Sequence, residues 1–244
     1  MDTARYMRDL YSAAEEICEK VPDNILFYHS GNTMTYRETL DLVRKRAAFL
    51  SKKGFRKNDV IGILSLSSPE WCITLLAIAS IGAIAVPMDT SFQGKQYESM
   101  VKSAGIKSVF ISDEFKGKIK SVPCMRINRD SCLEKEKYFK TVKISPDDTG
   151  VMLFTSGTTG IPKIVRLTHK NILHIAYVCT DLEEYTQDDV TLAILPLFHV
   201  YAFESTFMAP LVTGSSIVLQ NSLKGPDIMK SLADFPVTIF PAAP

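Results

Sequence analysis

A chain of 244 residues, 46% of them hydrophobic and 23% charged, holds enough apolar material for a sizeable core and has neither the composition nor the charge of a disordered chain. Its formal net charge of +1, with both signs interspersed, excludes the strongly basic surface of a nucleic-acid binder or a polybasic membrane anchor. Five scattered cysteines without Cys-x-x-Cys spacing and four histidines without ligand spacing argue against a disulfide scaffold and a structural zinc, so a reducing cytoplasm is the expected compartment.

The elements alternate between helix and strand. Residues 4–20 mix apolar and charged positions at helical spacing, and Val21-Pro22-Asp23 ends that helix. A strand from Ile25 to Tyr28 and a turn at Ser30-Gly31-Asn32 lead to Thr35-Tyr36-Arg37-Glu38, which has the form of a capping box. Tyr36, Leu40, Val43, Ala47 and Leu50 then line one helix face, and Gly54 stops it. Val60 to Leu66 reads as a buried strand. A helix over 69–80 follows, with Ser67 or Ser68 as its cap and Pro69 in its first turn, then a strand from Ala83 to Val86. The apolar run from Trp71 to Val86 falls short of the roughly 20 residues a bilayer span needs, and Gly82 splits it. A helix from Gln93 to Ala104 capped by Gly105 and a strand from Ser108 to Ile111 repeat the pattern. The expectation is an α/β chain with a largely parallel sheet covered by helices. Residues 113–148, rich in lysine, read as a surface excursion with short strands and a solvated face.

The most informative stretch is 151–169. Val151 to Phe154 form an apolar strand, Ile164 to Leu167 a second, and between them Thr155, Ser156, Gly157, Thr158, Thr159 and Gly160 are all hydroxyl residues or glycines. The glycines permit close backbone approach, the hydroxyls and amides offer donors, and Lys163 supplies a point charge for phosphate oxygens. A flexible linker is the plain alternative, but a linker is seldom clamped between two apolar strands. A Walker loop fits worse, because Lys163 follows Pro162 and precedes Ile164 instead of a hydroxyl residue. After this loop come a helix over 171–184 with Thr168 or Lys170 near its start and a strand from Val190 to Leu195. The remaining elements are a helix reaching about Leu211, a strand over 216–219, a helix over 226–233 and a strand over 237–240.

Phe154 to Lys163 resembles the phosphate-loop signature of the adenylate-forming superfamily, which includes acyl- and aryl-CoA ligases, peptide-synthetase adenylation domains and beetle luciferase. Met34 to Glu38, Ser68 to Trp71 and Thr168 to Asn171 are similar to further segments of the same family, so the resemblance spans nearly the whole chain. Two positions depart from the usual pattern: Ile164 and Ala202 stand where glycine is common. Leu195 to Phe203 looks like the Leu-Pro-Leu-Phe-His segment of acyl- and aryl-CoA ligases, and this implies a substrate-lining role for Phe198 and His199; a packed core histidine is the plain alternative.

The resemblance implies the two-lobed N-terminal domain of an acyl-CoA synthetase-like fold, one lobe formed by residues 1–58 with 187–244 and the other by 59–186, which carries the phosphate loop. It implies ATP and Mg2+, with coenzyme A as co-substrate, and a fatty or aryl carboxylic acid transferred to the thiol of coenzyme A or of a carrier protein. Thr155 is matched to the family's magnesium contact, Lys163 to its catalytic phosphate-binding lysine, and residues 155–160 to its nucleotide cradle. Because the family's later adenine, ribose and second-step motifs do not occur, the chain is expected to be part of a longer ligase and to be inactive in isolation. The remaining alternatives are a ligase that loads a carrier protein and a non-catalytic nucleotide-binding module.

Overall fold

The helix α3 (Pro69–Ser80) has no solvent face, and every one of its residues except Glu70 is buried. A helix that is apolar all round must be enclosed on all sides, and here it lies in a helical layer between two sheets. The architecture is that of a computed structural model, which describes residues 3–135, 139, 142–155 and 163–242.

In chain order, α1 (Leu10–Lys20), β1 (Ile25–His29), β2 (Asn32–Thr35) and α2 (Tyr36–Lys52) precede β3 (Val60–Leu64), α3, β4 (Ile84–Pro87), α4 (Lys95–Ala104), β5 (Ser108–Ile111) and β6 (Cys124–Arg126). Then come β7 (Thr149–Thr155), β8 (Lys163–Thr168), α5 (His169–Leu182), β9 (Val190–Ala193), α6 (Val200–Ala202), a π-helix over Phe203–Met208, α7 (Ala209–Thr213), β10 (Ser216–Leu219) and α8 (Gly225–Asp234).

The strands form two mixed, largely parallel sheets, ordered β2-β1-β10-β9 and β6-β5-β3-β4-β7-β8. Among the described strands only the β1–β2 and β7–β8 pairs are antiparallel. Alternation along each strand divides its side chains between two layers. Ile61 and Ile63 of β3 and Phe27 of β1 meet the central helices α1, α2, α3 and α5. Leu64, Val86 and Ile111 face the other way, onto Tyr97, Met100 and Val101 of α4, while Val190, Leu192 and Val218 pack against Ile228 of α8. The result is five layers, helix on sheet on helix on sheet on helix.

Local chemistry explains most boundaries. The capping box at the head of α2 forms as expected, Thr35 accepting from the Glu38 amide while Glu38 accepts from the Thr35 amide at 2.8 Å. Ser68 caps α3 with Pro69 at its first position, and Gly105 ends α4 in the left-handed region with φ +67°. Thr168, with Asn171, makes a second capping box for α5.

Four differences from expectation have physical causes. The first helix begins only at Leu10, because Asp9 accepts from the Tyr11 and Ser12 amides, and the residues before it form a short 3-10 turn over Thr3–Tyr6. Asn32–Thr35 is a strand hydrogen-bonded to β1, where the sequence showed only a turn and a cap. The helix expected to run to about Leu211 opens into a π-turn over Phe203–Met208, in which the Ala209 amide donates to Glu204 O, five residues back. Pro210 follows directly and has no amide to continue a regular ladder, so the wider turn precedes it. The strand expected over 237–240 is reduced to a parallel bridge between Ile239 and Thr191 beside β9.

Two buried polar groups, Arg46 and His169, fasten these layers, and a third, Glu204, is buried without such a bond among the described residues. Arg46 of α2, 1% exposed, donates to the carbonyls of Glu70 and Asn128 and to Thr74 Oγ1, and its guanidinium lies 5.9 Å from the Phe110 ring centre. Burial lowers its pKa to about 10, so it remains charged at neutral pH. His169, at the first position of α5, accepts the Leu10 amide on Nδ1 at 3.2 Å, which places its proton on Nε2. It thus caps α1 from 159 residues further along the chain. Its ring leaves room for nothing larger than Gly150, where a Cβ would lie 3.0 Å from the imidazole. Glu204, within the π-turn, is 5% exposed, and its Oε2 has no hydrogen-bond partner among the described residues.

Two pH dependences follow, of opposite sign. Burial holds the His169 pKa below its ordinary value, against the pull of Asp9 and Asp148 and with the help of Lys57. The unfolded chain therefore takes up this proton first, and the stability contributed by neutral His169 is full above about pH 6.5 and lost as pH falls through the folded value. The thermal midpoint should drop between pH 7 and 5, and His169→Gln should make that drop smaller; a profile unchanged by the substitution would refute this role. For Glu204, burial raises the pKa to about 9, so the folded protein keeps a proton that the unfolded chain gives up. That contribution is full below the ordinary carboxylate value and is lost as pH rises toward 9. Glu204→Gln should therefore stabilise the protein at pH 8 by on the order of 2 kcal/mol and leave it little changed at pH 5. Denaturant titrations at the two pH values provide the measurement.

Candidate functional site

β7 and β8 form an antiparallel hairpin at the margin of the six-stranded sheet, paired from Thr149 opposite Thr168, across a bulge before Val151, to Thr155 opposite Lys163. At its open end both Thr155 and Lys163 are exposed, and the Thr155 hydroxyl donates to Lys163 O at a long 3.5 Å. The two residues on which the phosphate-loop reading leans at either end are therefore direct cross-strand partners. Ser156, Gly157, Thr158, Thr159 and Gly160 lie outside the described residues. Ile164, at a position where glycine is common in the resembling family, sits opposite Phe154 and packs half-buried with it on the layer shared with α4. A β-branched residue suits that place in a strand.

A cleft of about 380 Å³ opens beside this hairpin. Leu153, Phe154 and Thr155 of β7 and Val165 and Leu167 of β8 supply one side. Pro87, Asp89 and Phe92, from the carboxyl end of β4 and the loop after it, supply another, and Phe198, His199 and Val200 close the third. Thr155, Phe198 and His199, far apart in sequence, are thus brought to one cavity; Lys163 stands at its rim through its pairing with Thr155 and is not part of the lining. The Phe198 and His199 rings are 4.3 Å apart between centres and tilted by 49°. His199 is exposed, so the alternative of a packed core histidine does not hold for it. It precedes α6, its amide donating to Pro196 O at 3.1 Å and its carbonyl accepting from the Phe203 amide at 2.9 Å. Ala202, the other glycine replacement, is fully buried within α6.

Chemically the lining is mostly apolar and aromatic, with the Thr155 hydroxyl, the Asp89 carboxylate and the His199 imidazole among it. Asp89 is fixed by accepting from the Ser91 amide at 2.8 Å and the Ser91 hydroxyl at 2.7 Å. Among the described residues no group of three His, Cys, Asp or Glu side chains is arranged to hold a metal ion, and no helix is long and apolar enough to cross a membrane. Asp89, Phe92, Val165 and Leu167 were not singled out by sequence reasoning. Two signals were available: Val165 and Leu167 share one face by strand alternation, and Pro87 to Asp89 stand at the carboxyl end of a parallel strand, where open α/β sheets bind ligands.

The sequence pattern of the family described as AMP-binding enzyme matches residues 14–244. Among curated relatives, 4-coumarate–CoA ligase 3 of Arabidopsis thaliana is 28% identical over 235 residues, covering 88% of this chain and 42% of the relative. The ligase CCL1 of Humulus lupulus, also a 4-coumarate–CoA ligase, is 30% identical over 237 residues, covering 88% of this chain and 43% of its own length. The chain therefore spans about two fifths of the curated relatives it matches. Among solved structures, the N-terminal subdomain of Klebsiella oxytoca NpsA, in complex with 3-hydroxybenzoyl-AMSN, superposes with a TM-score of 0.88 at 21% identity, covering 98% of this chain and 61% of that one. O-succinylbenzoate coenzyme A synthetase of Bacillus subtilis, solved with ATP and magnesium ion, gives a TM-score of 0.85 at 22% identity, covering 96% of this chain and 63% of the other. These structures share the fold, and the family pattern covers nearly every residue that builds both sheets and the cleft: the chain belongs to the AMP-binding family of adenylate-forming enzymes.

Proposed function

We propose that the chain forms the phosphate- and acid-binding part of a ligase that activates a carboxylic acid with ATP and passes the acyl group to a thiol. The observation that carries this reading is the union, in one cleft, of an aromatic wall at Phe198 and His199 with the open end of the hydroxyl- and lysine-bearing hairpin at Thr155 and Lys163. An apolar acid is held along the walls while its carboxylate faces the mouth, where the loop of residues 155–160 and Lys163 receive the triphosphate. The carboxylate then attacks the α-phosphorus, the bond to pyrophosphate breaks, and the resulting acyl-adenylate is cleaved by the thiol with loss of AMP. Negative charge grows on the departing pyrophosphate, so the work of Lys163 is to offset it in place, with the loop's hydroxyl and amide donors positioning the phosphates.

Thr155 is proposed to share in holding Mg2+, since its exposed hydroxyl oxygen at the carboxyl end of β7 is a hard donor that, among the described residues, makes one long hydrogen bond. A bound Mg2+ supplies charge neutralisation on the phosphate oxygens. The size and aromatic character of the cleft favour an aryl or other small apolar acid, and the resemblance to 4-coumarate–CoA ligases supports the same class with coenzyme A as acceptor. A division into two lobes, residues 1–58 with 187–244 and residues 59–186, is proposed on the strand membership of the two sheets.

Two measurements in the full-length product of the gene check the assignment. Lys163→Met should lower ATP–pyrophosphate exchange by about a hundred- to a thousandfold, corresponding to about 3–4 kcal/mol of lost transition-state stabilisation, with little change in thermal midpoint. Exchange within threefold of the unmodified enzyme would remove Lys163 from the phosphate site. His199→Ala should reorder a panel of aryl and fatty acids by kcat/KM while leaving the KM for ATP within about threefold; an unchanged ranking would place the imidazole outside acid selection.

A further inference from the structure

The wall of the cleft formed by Phe198 to Val200 is held at both ends by one turn of the opposite sheet. Before it, the buried Leu197 amide donates to Ser67 Oγ at 3.1 Å. After it, Phe203 and Phe207 of the π-turn pack against Trp71, with ring centres 6.3 and 6.5 Å away at interplanar angles of 63° and 87°. Ser67 lies in the turn joining β3 to α3 and Trp71 in the first turn of α3, a junction that Ser68 and Pro69 stiffen as helix cap and first helical residue. The turn is gripped in addition by Asn221, just beyond β10. Its Oδ1 accepts from the Ser67 amide at 3.1 Å and its Nδ2 donates to Ser67 O at 2.9 Å, as a neighbouring strand would.

Ser67 therefore uses its amide, carbonyl and hydroxyl on two separate segments of the four-stranded sheet's side, although it is itself carried by the six-stranded sheet. The remainder of the cleft, from β4, β7 and β8, belongs to that six-stranded sheet. The distance between the two sides is consequently set at Ser67 and Trp71.

We propose that Ser67 and Trp71 are positioning residues, locked by Asn221, that fix the Phe198–Val200 wall against the β7–β8 hairpin and so determine which acids the cleft accepts. The selection of acids rests on the ligase reading above; the mechanical link between the turn and the wall does not. Loss of the Ser67 hydroxyl leaves the buried Leu197 amide without its acceptor, a defect confined to the lower edge of the wall. A methyl added in Ser67→Thr keeps that acceptor.

Hydrogen–deuterium exchange followed by mass spectrometry, combined with ATP–pyrophosphate exchange, tests the proposal in the full-length gene product. Ser67→Ala should speed amide exchange about tenfold in peptides spanning 195–203 and leave peptides from α4 and β5 unchanged. With 4-coumarate, anthranilate and decanoate as probe acids, the KM of the best acid should rise about tenfold while that of ATP stays within twofold, and Ser67→Thr should restore both readouts. Asn221→Ala, at an exposed position that places little demand on folding, should reproduce the exchange change in weaker form. Unaltered exchange over 195–203, an equal rise throughout the chain, or a threonine variant no better than alanine would overturn the proposal. If the unmodified protein supports no acid-dependent reaction at all, the ligase reading fails, and the local exchange pattern alone decides whether the turn positions the wall.

Discussion

The enclosure of α3 is the constraint on which the structure turns. A helix with no polar face cannot lie at a surface, and a single sheet covers only one of its sides, so α3 requires two sheets to exist at once. Ile73, Leu75, Ile78 and Ala79 are all at most 1% exposed, and burial of a large aliphatic side chain contributes about 1.5–3 kcal/mol. The first strand of the chain and the last both lie in the four-stranded sheet, β1 pairing in parallel with β10 across nearly the whole sequence. Chain ends far apart in sequence thus close over the middle, and the cleft is a by-product of two sheets converging on one helical layer.

Features governed by neighbouring residues could be read before any coordinates. The capping box at Thr35, the glycine stop after α4 and the apolar face of α2 depend on residues within one turn and occur where the sequence placed them, while for α3 and α5 the sequence left two candidates each, of which Ser68 and Thr168 are the caps. What escaped depends on partners far away. Nothing near Asn32 to Thr35 announces a strand until β1 is beside it, and nothing near Phe203 to Met208 announces a π-turn except Pro210, whose effect varies with packing. At the site, Phe198 and His199 were visible through resemblance, whereas Asp89 and Phe92 reach the cleft only because β4 lies between β3 and β7 in the folded sheet.

The buried polar groups divide the same way. Arg46 and His169 each meet main-chain groups remote in sequence, and a reader of the sequence sees in them only an ordinary helix arginine and a cap-adjacent histidine. Their value is geometric, since each joins two segments that hydrophobic contact alone would leave free to slide. Glu204 is the opposite case, a carboxyl whose burial is not offset by any hydrogen bond to Oε2. It lies four residues beyond Val200 on the segment that leads away from the cleft, so an unfavourable burial sits next to the wall of the cleft.

The position of β8 has a further consequence. Among the described residues it is an outer strand of the six-stranded sheet, and an outer strand offers a row of amides and carbonyls to a further strand or to another chain. Lys163 and Arg166 are both exposed along it. Two cations on that margin repel the like margin of a second molecule and deter sheet-to-sheet growth between copies. The lysine proposed for phosphate thus carries a charge that also opposes pairing of two such margins, and its replacement bears on contacts between copies as well as on the proposed site.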